Sequence, residues 1–412
     1  MWYINGKKYD LNNFLDHHPG GKIILESCKN GVDSTASFNS YHSMCNMNKI
    51  NNIMKKYEIK DSVCEKQFAF NNGDFYDVVK KRVKKYFITN NLSHHCNNFW
   101  IYKSFAQVLL YIIPFILSCY CKNLGLLFRI FLSFLSGHMF IQCGFGVMHD
   151  ASHYAVSHSS HYNESLSSVW NSLALLDSQL WNKHHCYWHH SFTGTIKDPD
   201  TVHFIPIIRK SFQEKKNKYF DISYCPQFII MFITFIFPGF WLGQVIGYLR
   251  WLFKGNLWRM NLGIYRHNFM ETFLKLFVIY SFIYSNSFYV FCSYALACNV
   301  TYFLCITPNH DTLETHLNVV YNTKNIDWGK LQVLNSGNFA TDNILVNNCF
   351  GGINFQIEHH LFPTISHVHF PQIQHIVKDT CKEFNISYSE QKNIYSAFKS
   401  SIKNFIIISK TK

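Results

Sequence analysis

Residues Gly351 to Pro363 read GGINFQIEHHLFP and place three possible metal ligands on one face of a short helix. Gln356, His359 and His360 are spaced i, i+3 and i+4, so a helix presents their side chains next to one another. An amide and two imidazoles directed at one point are typical of a metal site rather than of a packed core. The neighbouring Glu358 could hold an imidazole in the required tautomer from outside the ligand shell.

Two more histidine motifs lie upstream of this stretch. The first motif is HDASH, from His149 to His153, an i, i+4 spacing that puts both rings on one helical face. The second motif, HHCYWHH, contains an H-x-x-x-H-H set formed by His185, His189 and His190. Three motifs with helical spacing are hard to explain by packing, and together they predict a metal centre.

Other polar residues near these motifs are further candidates. His184 precedes His185, and the doublet leaves open which ring is the ligand. The acidic run Asp198 to Asp200 could cap or orient the second motif, and His310 in TPNHD is a lone candidate for one more ligand. Eight further histidines are each taken as ordinary hydrogen-bonding residues. They are His138, His158, His161, His203, His267, His367, His369 and His375.

The composition and the apolar runs indicate a membrane protein. The chain has 412 residues, with 39 Phe, 24 Tyr and 9 Trp but only 15% charged residues. We predict four membrane spans, at 104–121, 124–148, 272–285 and 288–306. Residues 228–250 are apolar but are broken by proline and glycine, so we expect an interfacial or re-entrant segment there. Four crossings leave both termini and all three histidine motifs on the cytosolic side, whereas a fifth crossing at 228–250 would separate the third motif from the others.

Charge and cysteine usage narrow the class of protein further. The net charge of +13 suits an anionic membrane surface, and no basic face accompanies a recognised nucleic-acid-reading motif. The basic run from Lys80 to Lys85, just ahead of the first span, predicts a cytosolic contact with the membrane surface. The 14 cysteines have no paired spacing, so we expect reduced thiols. The N-terminus lacks the apolar core of a signal peptide.

The first 75 residues contain a separate pair of candidate ligands. A strand predicted over Trp2–Tyr9 is followed by HPGG and by DSTASFNSYHS, which contain His18 and His42. The proline ends any helix and the glycines allow close approach to a flat cofactor, so His18 and His42 could be the two axial ligands of one haem. This region resembles a cytochrome b5 domain over about Trp2–Asp61, most specifically at HPGG. The sequence starts where that family's first strand is already under way, so we expect a shortened haem domain.

The number of candidate ligands bears on the identity of the metal. Eight or nine nitrogen-type ligands are too many for one tetrahedral zinc ion, and two ions with mainly imidazole shells fit better. A haem domain fused to a metal centre implies redox turnover. We therefore expect iron and dioxygen chemistry rather than hydrolysis.

The three motifs, in this order, resemble those of the membrane fatty acid desaturase superfamily. The fused haem domain and the QIEHH form of the third motif resemble the front-end desaturases, which include the sphingolipid long-chain-base enzymes. The likeness is strongest in HDASH, WNKHHCYWHHSFTGTIKDPD and DWGKLQVLNSGNFATDNILVNNCFGGINFQIEHHLFP. It implies an all-α polytopic membrane fold with a cytosolic di-iron helical cap, preceded by a small α+β cytochrome b5-like domain.

The resemblance also implies the roles of individual residues. Eight histidines would ligate two irons and carry the catalysis, Gln356 would be a further metal ligand where other branches have a histidine, and His18 and His42 would hold haem b. The eight are His149, His153, His185, His189, His190, His310, His359 and His360. We expect a haem domain at 1–75, a linker at 76–103, a membrane di-metal domain at 104–380 and a cytosolic tail at 381–412.

As a desaturase, the protein would receive electrons from NAD(P)H through a cytochrome b5 reductase and its own haem. It would use O2 to remove two hydrogens from an acyl chain, carried by acyl-CoA or by a phospholipid, at the endoplasmic reticulum membrane. A sphingolipid long-chain-base desaturase and a lipid hydroxylase would use the same ligands. A non-catalytic haem electron carrier is a further alternative, although a carrier needs no second metal site.

Overall fold

The computed structural model describes residues 1–316 and 325–410, apart from 30–32, 61–63, 196, 203–209, 211–255, 258–259 and 262–267. The predicted segment 228–250 and two histidines, His203 and His267, lie outside the described residues. What is described is mostly helical, with a few short strands.

The helices and strands follow one another along the chain in this order. They are β1 (Trp2–Ile4), β2 (Lys7–Tyr9), a 3₁₀ helix (Asn12–His17), α1 (Lys22–Ser27), α2 (Thr35–Tyr41), α3 (Met47–Met54), α4 (Phe75–Thr89), α5 (Asn98–Tyr120), α6 (Leu126–Cys143), a π-helix (Gly144–His149), α7 (Asp150–Ser152), α8 (Ser160–Leu173), α9 (Ser178–Trp181), a second π-helix (Asn182–His189), α10 (His190–Phe192), α11 (Pro199–Val202), β3 (Asn256–Leu257), β4 (Met260–Asn261), α12 (Phe269–Ser285), α13 (Phe288–His310), α14 (Leu313–His316), α15 (Trp328–Leu334), β5 (Asn338–Phe339), α16 (Ile344–Cys349), α17 (Gln356–Leu361), a second 3₁₀ helix (His367–His369), α18 (Phe370–Glu383), β6 (Glu390–Gln391) and α19 (Ile394–Lys410).

The chain begins with a β-hairpin. β1 and β2 pair antiparallel, with Trp2 opposite Tyr9. Asn5 and Gly6 join them with φ angles of 53° and 79°, the left-handed backbone that an Asn-Gly hairpin turn requires. The single strand predicted over Trp2–Tyr9 is therefore wrong, because this dipeptide reverses the chain in its middle.

The N-terminal unit rests on the second histidine motif. Its core contains Trp2, Phe38 and Met54, and Tyr187 from the second π-helix completes the same core. Trp2 is fully buried and its indole Nε1 donates a hydrogen bond of 2.8 Å to Leu25 O. The small α+β unit thus packs directly against residues of the candidate metal centre.

Within the described residues, three helices are long and apolar enough to cross a membrane. They are Asn98–Tyr120, Leu126–Ser152 and Phe288–Thr315, where the last two continue α6 and α13 through the short helices that follow them. α12 has 17 residues and forms a hairpin with α13 around Asn286, whose φ is 52°. Large apolar side chains such as Leu127 and Phe273 point outward from these helices. Lipid can cover such surfaces, because the helices satisfy their own backbone hydrogen bonds.

Small residues bring α6 and α13 close together. A Cβ on Gly137 would lie only 2.5 Å from Tyr294 O, and Ser133 Oγ donates to Val290 O at 2.7 Å. Buried Arg129 donates to Ser118 O at 2.8 Å. Close approach of this kind is what small residues permit between membrane helices. These contacts hold α6, the helix that leads into the first histidine motif, in place.

The segment 76–103, which the sequence predicts as a linker, contains most of α4, a helix with one buried face. Phe75, Val79, Val83 and Phe87 recur every fourth residue of α4 and are all buried in one core with residues of α15, α17 and α18. The basic side chains lie between them, and Arg82 pairs with Glu383 at 2.7 Å. The alternation of apolar and charged residues therefore produces an amphipathic helix rather than a free connection.

The C-terminal residues are also packed. The rings of Phe398 on α19 and Phe303 on α13 lie 5.8 Å apart, and Ala397 and Asn404 are fully buried. Within 381–412, which the sequence predicts as a tail, residues 394–410 form a helix that packs against α13. The cysteines that the structure describes are all free thiols, which is the state that their unpaired spacing predicts.

Candidate metal centre

One π-helix ends at the first histidine of the first motif, and another contains most of the second motif. The segments Gly144–His149 and Asn182–His189 each have a wide turn, and each ends on a histidine of its motif. π-Helices are rare and occur mostly at functional sites. The α-helical spacing predicted for the first motif is kept, since His153 N donates to His149 O at 3.2 Å, whereas the second motif lies in the wider turn of a π-helix. The third motif lies on the α-helix α17, as predicted.

Five buried imidazoles meet at one place, which we call site A. Each offers a ring nitrogen that lies within 4.8 Å of the others. Two motifs contact directly here, because His149 Nε2 and His185 Nε2 are 2.9 Å apart. The members of site A are His149, His153, His185, His190 and His359.

A second group, site B, lies beside the first. His189, His310 and His360 bring ring nitrogens within 4.8 Å of one another. Gln356 Nε2 lies 2.9 Å from His310 Nε2 and 3.0 Å from His360 Nε2, so its amide sits between these two rings. The two sites adjoin, since the rings of His190 and His360 are stacked at 4.3 Å. The structure thus brings together all nine residues predicted as metal ligands.

Hydrogen bonds to the outer nitrogens orient several of these rings. His310 Nδ1 lies 2.7 Å from Asn335 O, and His360 Nδ1 lies 3.0 Å from Gln332 Oε1. Both oxygens can only accept, so each Nδ1 carries the proton and Nε2 keeps its lone pair for a ligand. Asp198 Oδ1 accepts from His189 Nδ1 at 3.0 Å in the same way. The acidic run therefore orients the second motif, whereas no spacing in the sequence singled out Gln332 or Asn335.

The structure separates the two members of the histidine doublet. His185 is buried in site A, whereas His184 Nε2 lies 2.6 Å from Asp200 Oδ1 and outside both sites.

Glu358 differs from the expectation that it would hold an imidazole. Its carboxylate accepts from Asn338 at 2.7 Å and from the Tyr388 hydroxyl at 2.8 Å. It therefore anchors α17 to the segments behind it, and burial raises its pKa to about 7.

The electrostatics of site A favour neutral rings. Burial, followed by the proximity of other imidazoles, lowers the pKa of His153, His185 and His359 well below the ordinary value. Neutral imidazoles can donate lone pairs to a cation. His189 differs, because burial lowers its pKa but the carboxylates of Asp198 and Asp200 outweigh burial and raise that pKa to about 9. Binding of a cation at site B would therefore release a proton from His189.

Unpartnered buried nitrogens show that the residues fit metal ions. Within the described residues, His153 Nε2, His359 Nε2 and both ring nitrogens of His190 have no hydrogen-bond partner and are shielded from solvent. The amide Oε1 of Gln356 is in the same situation. Such groups are costly to bury without a partner, and a cation would supply one. Imidazole-rich donor sets of this kind suit transition metals rather than magnesium or calcium.

The N-terminal histidine pair is arranged for a flat ligand. The rings of His18 and His42 lie 6.1 Å apart. His18 Nδ1 donates to Gly21 O at 2.8 Å and His42 Nδ1 donates to Phe38 O at 2.7 Å. Each ring therefore keeps Nε2 for an axial bond. Burial lowers the pKa of both residues, that of His42 to about 4, which keeps them neutral.

Several histidines assigned to ordinary hydrogen bonding have such partners. His138 Nδ1 lies 2.8 Å from Thr301 Oγ1. His367 Nδ1 lies 2.8 Å from Asp150 Oδ2, and His369 Nε2 donates to His95 O at 2.9 Å. These side chains lie outside sites A and B.

Comparison with known families and proteins agrees with this arrangement. The model of the family described as Fatty acid desaturase matches residues 124–392, and that of the Cytochrome b5-like Heme/Steroid binding domain matches residues 1–62. An acyl-lipid (8-3)-desaturase of Physcomitrium patens is 25% identical over 426 residues, which cover 96% of this chain and 85% of that protein. The Delta(5) fatty acid desaturase A of Dictyostelium discoideum is 27% identical over 437 residues, covering 97% and 88%. The sn-1 linoleoyl-lipid 6-desaturase of Synechocystis sp. is 26% identical over 370 residues, covering 80% and 92%.

Proposed function

Since this chain belongs to the fatty acid desaturase family and carries a cytochrome b5-like domain at its N-terminus, we propose that it uses O2 to introduce a double bond into a fatty acyl chain in unsaturated fatty acid biosynthesis. One observation carries the proposal. The imidazoles of sites A and B adjoin one another and all but His310 are buried, with several nitrogens that have no partner among the described residues. A haem-binding unit packs against them.

The side chains of sites A and B would hold two iron ions, and Gln356 would complete the shell of site B. Iron bound there would supply the oxidising power, drawn from O2, for the removal of two hydrogens from adjacent methylenes. The chain itself orients the rings through Gln332, Asn335 and Asp198. Burial of the rings excludes water, which would otherwise compete for the centre. His18 and His42 hold the haem that receives electrons.

Electrons would come from NAD(P)H through a separate cytochrome b5 reductase. The haem accepts one electron at a time, and each double bond formed requires two. The haem-binding unit lies on the second histidine motif. This packing supports electron transfer within one chain rather than through a second, free cytochrome.

The substrate we infer is an acyl lipid that already carries a double bond, desaturated on its carboxyl side. Support comes from the names of the similar proteins, among them acyl-lipid (8-3)-desaturases of Physcomitrium patens and Mortierella alpina and a linoleoyl-lipid 6-desaturase. The QIEHH form of the third motif favours the same branch. Acyl-CoA, a sphingolipid long-chain base and hydroxylation in place of desaturation are alternative outcomes of the test below.

We place the protein in the endoplasmic reticulum membrane, with both termini and both sites on the cytosolic side. α12 would cross as a fourth span beside the three long apolar helices, since its outward side chains are apolar and its hairpin with α13 is tight. Residues 1–75 form the haem domain in this proposal, and residues 104–380 form the di-metal domain.

Lipid analysis in a yeast host fed polyunsaturated fatty acids tests this function. Wild type would be compared with His359→Ala in site A and with His18→Ala in the haem unit. His375→Ala is the matched control, because His375 is exposed on α18 and lies outside both sites. We expect loss of two hydrogens in a phospholipid acyl chain with wild type and with His375→Ala only. Gain of an oxygen atom would indicate a hydroxylase, and an unchanged lipid profile from stable, iron-loaded wild type would refute the proposal.

A further inference from the structure

One side chain joins the haem unit to the candidate iron centre. The hydroxyl oxygen of Tyr41 lies 2.8 Å from His153 Nδ1. Tyr41 directly precedes His42, the candidate haem ligand, and His153 belongs to site A. The two redox sites are therefore connected by one peptide unit, one phenol side chain and one hydrogen bond.

The helix α2 presents these groups on two different faces. Phe38 and His42, spaced i, i+4, lie on the haem side, where their rings are 4.8 Å apart. Ser34, Ser37 and Tyr41, spaced i, i+3 and i+7, form a neighbouring face, about a quarter of a turn around the helix axis. All three make contacts with the second histidine motif or the residues around it. The helix α2 thus contacts the haem side with one face and the surroundings of the second histidine motif with the other.

The contacts on that second face define how the unit is docked. Ser37 Oγ lies 2.8 Å from Ser191 Oγ, and Ser34 Oγ lies 3.3 Å from the Tyr187 hydroxyl. The Tyr41 hydroxyl donates a long hydrogen bond of 3.5 Å to Cys186 O. With its proton directed to that carbonyl, the phenol oxygen can accept from His153 Nδ1. The bond then leaves His153 Nε2, which is buried and has no partner within the described residues, for a metal.

The HPGG loop is docked as well. A Cβ on Gly21, whose φ is +86°, would lie 2.4 Å from Glu164 Oε1 and 3.2 Å from Ser160 Cβ on α8. Glu164 in turn accepts from the Tyr154 hydroxyl at 3.0 Å, beside the first histidine motif. Both ligand-bearing segments of the haem unit are therefore seated on the part of the chain that carries site A. A fixed contact such as that of Tyr41 can persist only if the unit is held in this way.

We propose that Tyr41 is the residue through which electrons pass from the haem to the iron centre, and that its hydroxyl also positions His153. In each transfer ferrous haem becomes ferric and one ferric ion of the iron pair becomes ferrous. The phenol keeps its proton and is itself neither oxidised nor reduced. The reductase then reduces the haem again. This inference rests on the proposed function, since it requires both the haem and the iron pair.

The test uses the full-length, haem- and iron-loaded protein without oxygen or substrate. A light pulse with a photochemical reductant reduces the haem of the fully oxidised protein. The decay of the reduced-haem absorbance then gives the rate constant for transfer to iron. Tyr41→Phe keeps the ring and removes only the hydroxyl. Ser37→Ala is the matched control, because it removes a hydrogen bond of the same length from the same interface without touching a histidine.

We expect the rate constant to fall roughly 10- to 100-fold in Tyr41→Phe, by analogy with the loss of metal affinity or activity that follows removal of a group that orients a metal ligand. Ser37→Ala should transfer electrons at the wild-type rate. The haem spectrum and the haem reduction potential should be the same in all three proteins, because His18, His42 and their carbonyl partners are unchanged. Tyr41→Leu, which also lacks the ring, should be no faster than Tyr41→Phe.

An unchanged rate constant in Tyr41→Phe would overturn the inference. Equal slowing in Tyr41→Phe and Ser37→Ala would also overturn it, since docking of the unit rather than this contact would then set the rate. Lipid analysis of the wild type separates the two proposals. If wild type forms a double bond but Tyr41→Phe transfers electrons normally, only the inference about Tyr41 fails. If the Tyr41 effect is seen but no lipid changes, the proposed function fails instead.

Discussion

Substitution of Gly351 by alanine should disturb the iron centre more than it disturbs the fold. Gly351 has a φ of +57°, and a Cβ there would lie 2.5 Å from both Gly146 N and the carbonyl carbon of Phe145. These are backbone atoms of the π-helix that ends at His149, so they cannot move aside as a flexible side chain could. Gly351 therefore sets the distance between the third motif and the first.

The size of the effect follows from two contributions. A side chain in the left-handed region costs roughly 1–2 kcal/mol. Forcing an extra carbon into a packed contact adds about 1–3 kcal/mol. Their sum, roughly 2–5 kcal/mol, is smaller than the total stability of many proteins, so we expect a folded protein in which His359 is displaced from His149.

Non-haem iron content and the thermal midpoint of purified Gly351→Ala are the assay. Gly73→Ala is the matched control, because Gly73 has a φ of +85° but has no atom within 4 Å of the position of a Cβ. The control should lose only the stability that the backbone conformation costs, and it should keep its iron. If Gly351→Ala retains the iron content and the midpoint of Gly73→Ala, the close approach of these two motifs does not define the site.

Three other predictions concern separate parts of the molecule. Asp198→Asn should weaken iron binding roughly 10- to 100-fold, because His189 loses the carboxylate that orients it. Titration with a chelator, with the haem spectrum as internal control, measures the iron affinity, and an unchanged affinity would contradict the prediction. Trp328→Ala should lower the free energy of unfolding by about 3–5 kcal/mol. The indole ring is fully buried and lies 4.8 Å from the ring of Tyr76, and its N–H donates to a backbone carbonyl. A thermal midpoint equal to that of wild type would contradict this prediction. Burial and then the proximity of His158 lower the pKa of His95 to about 4, so the unfolded chain binds the proton more readily and stability should fall as the pH drops from about 6.5 towards 4. His95→Gln should lose less stability over that interval than wild type does, and parallel curves for the two proteins would refute this prediction.

The features that the sequence predicted well are those with a local signature. The spacing of Gln356, His359 and His360 requires only one helical turn, and that turn is present in α17. The prediction that His18 is a haem ligand likewise rests on a local motif, HPGG, in which a proline and two glycines act on the adjacent backbone. The hairpin at the N-terminus differs from the single predicted strand, although Asn5 and Gly6 are a known signal for such a turn.

Other features depend on contacts between distant segments and have no local signature. Gln332 reaches His360 only because α15 and α17 pack together, and nothing in its sequence neighbourhood distinguishes it from other polar residues. Tyr41 contacts His153 across 112 residues of sequence. The role expected for Glu358 was wrong for the same reason, since adjacency in sequence puts it on the side of α17 that faces Asn338 and Tyr388.

If sites A and B hold two irons beside one haem, the purified protein contains all three in a fixed ratio. Purification of the full-length protein, followed by total metal analysis and a separate spectroscopic measurement of haem, tests it most directly. We predict two non-haem irons and one haem per chain, with non-haem iron lost and haem kept in His359→Ala. Zinc in place of iron in protein expressed with sufficient iron, or non-haem iron that is unchanged in His359→Ala, would contradict the account.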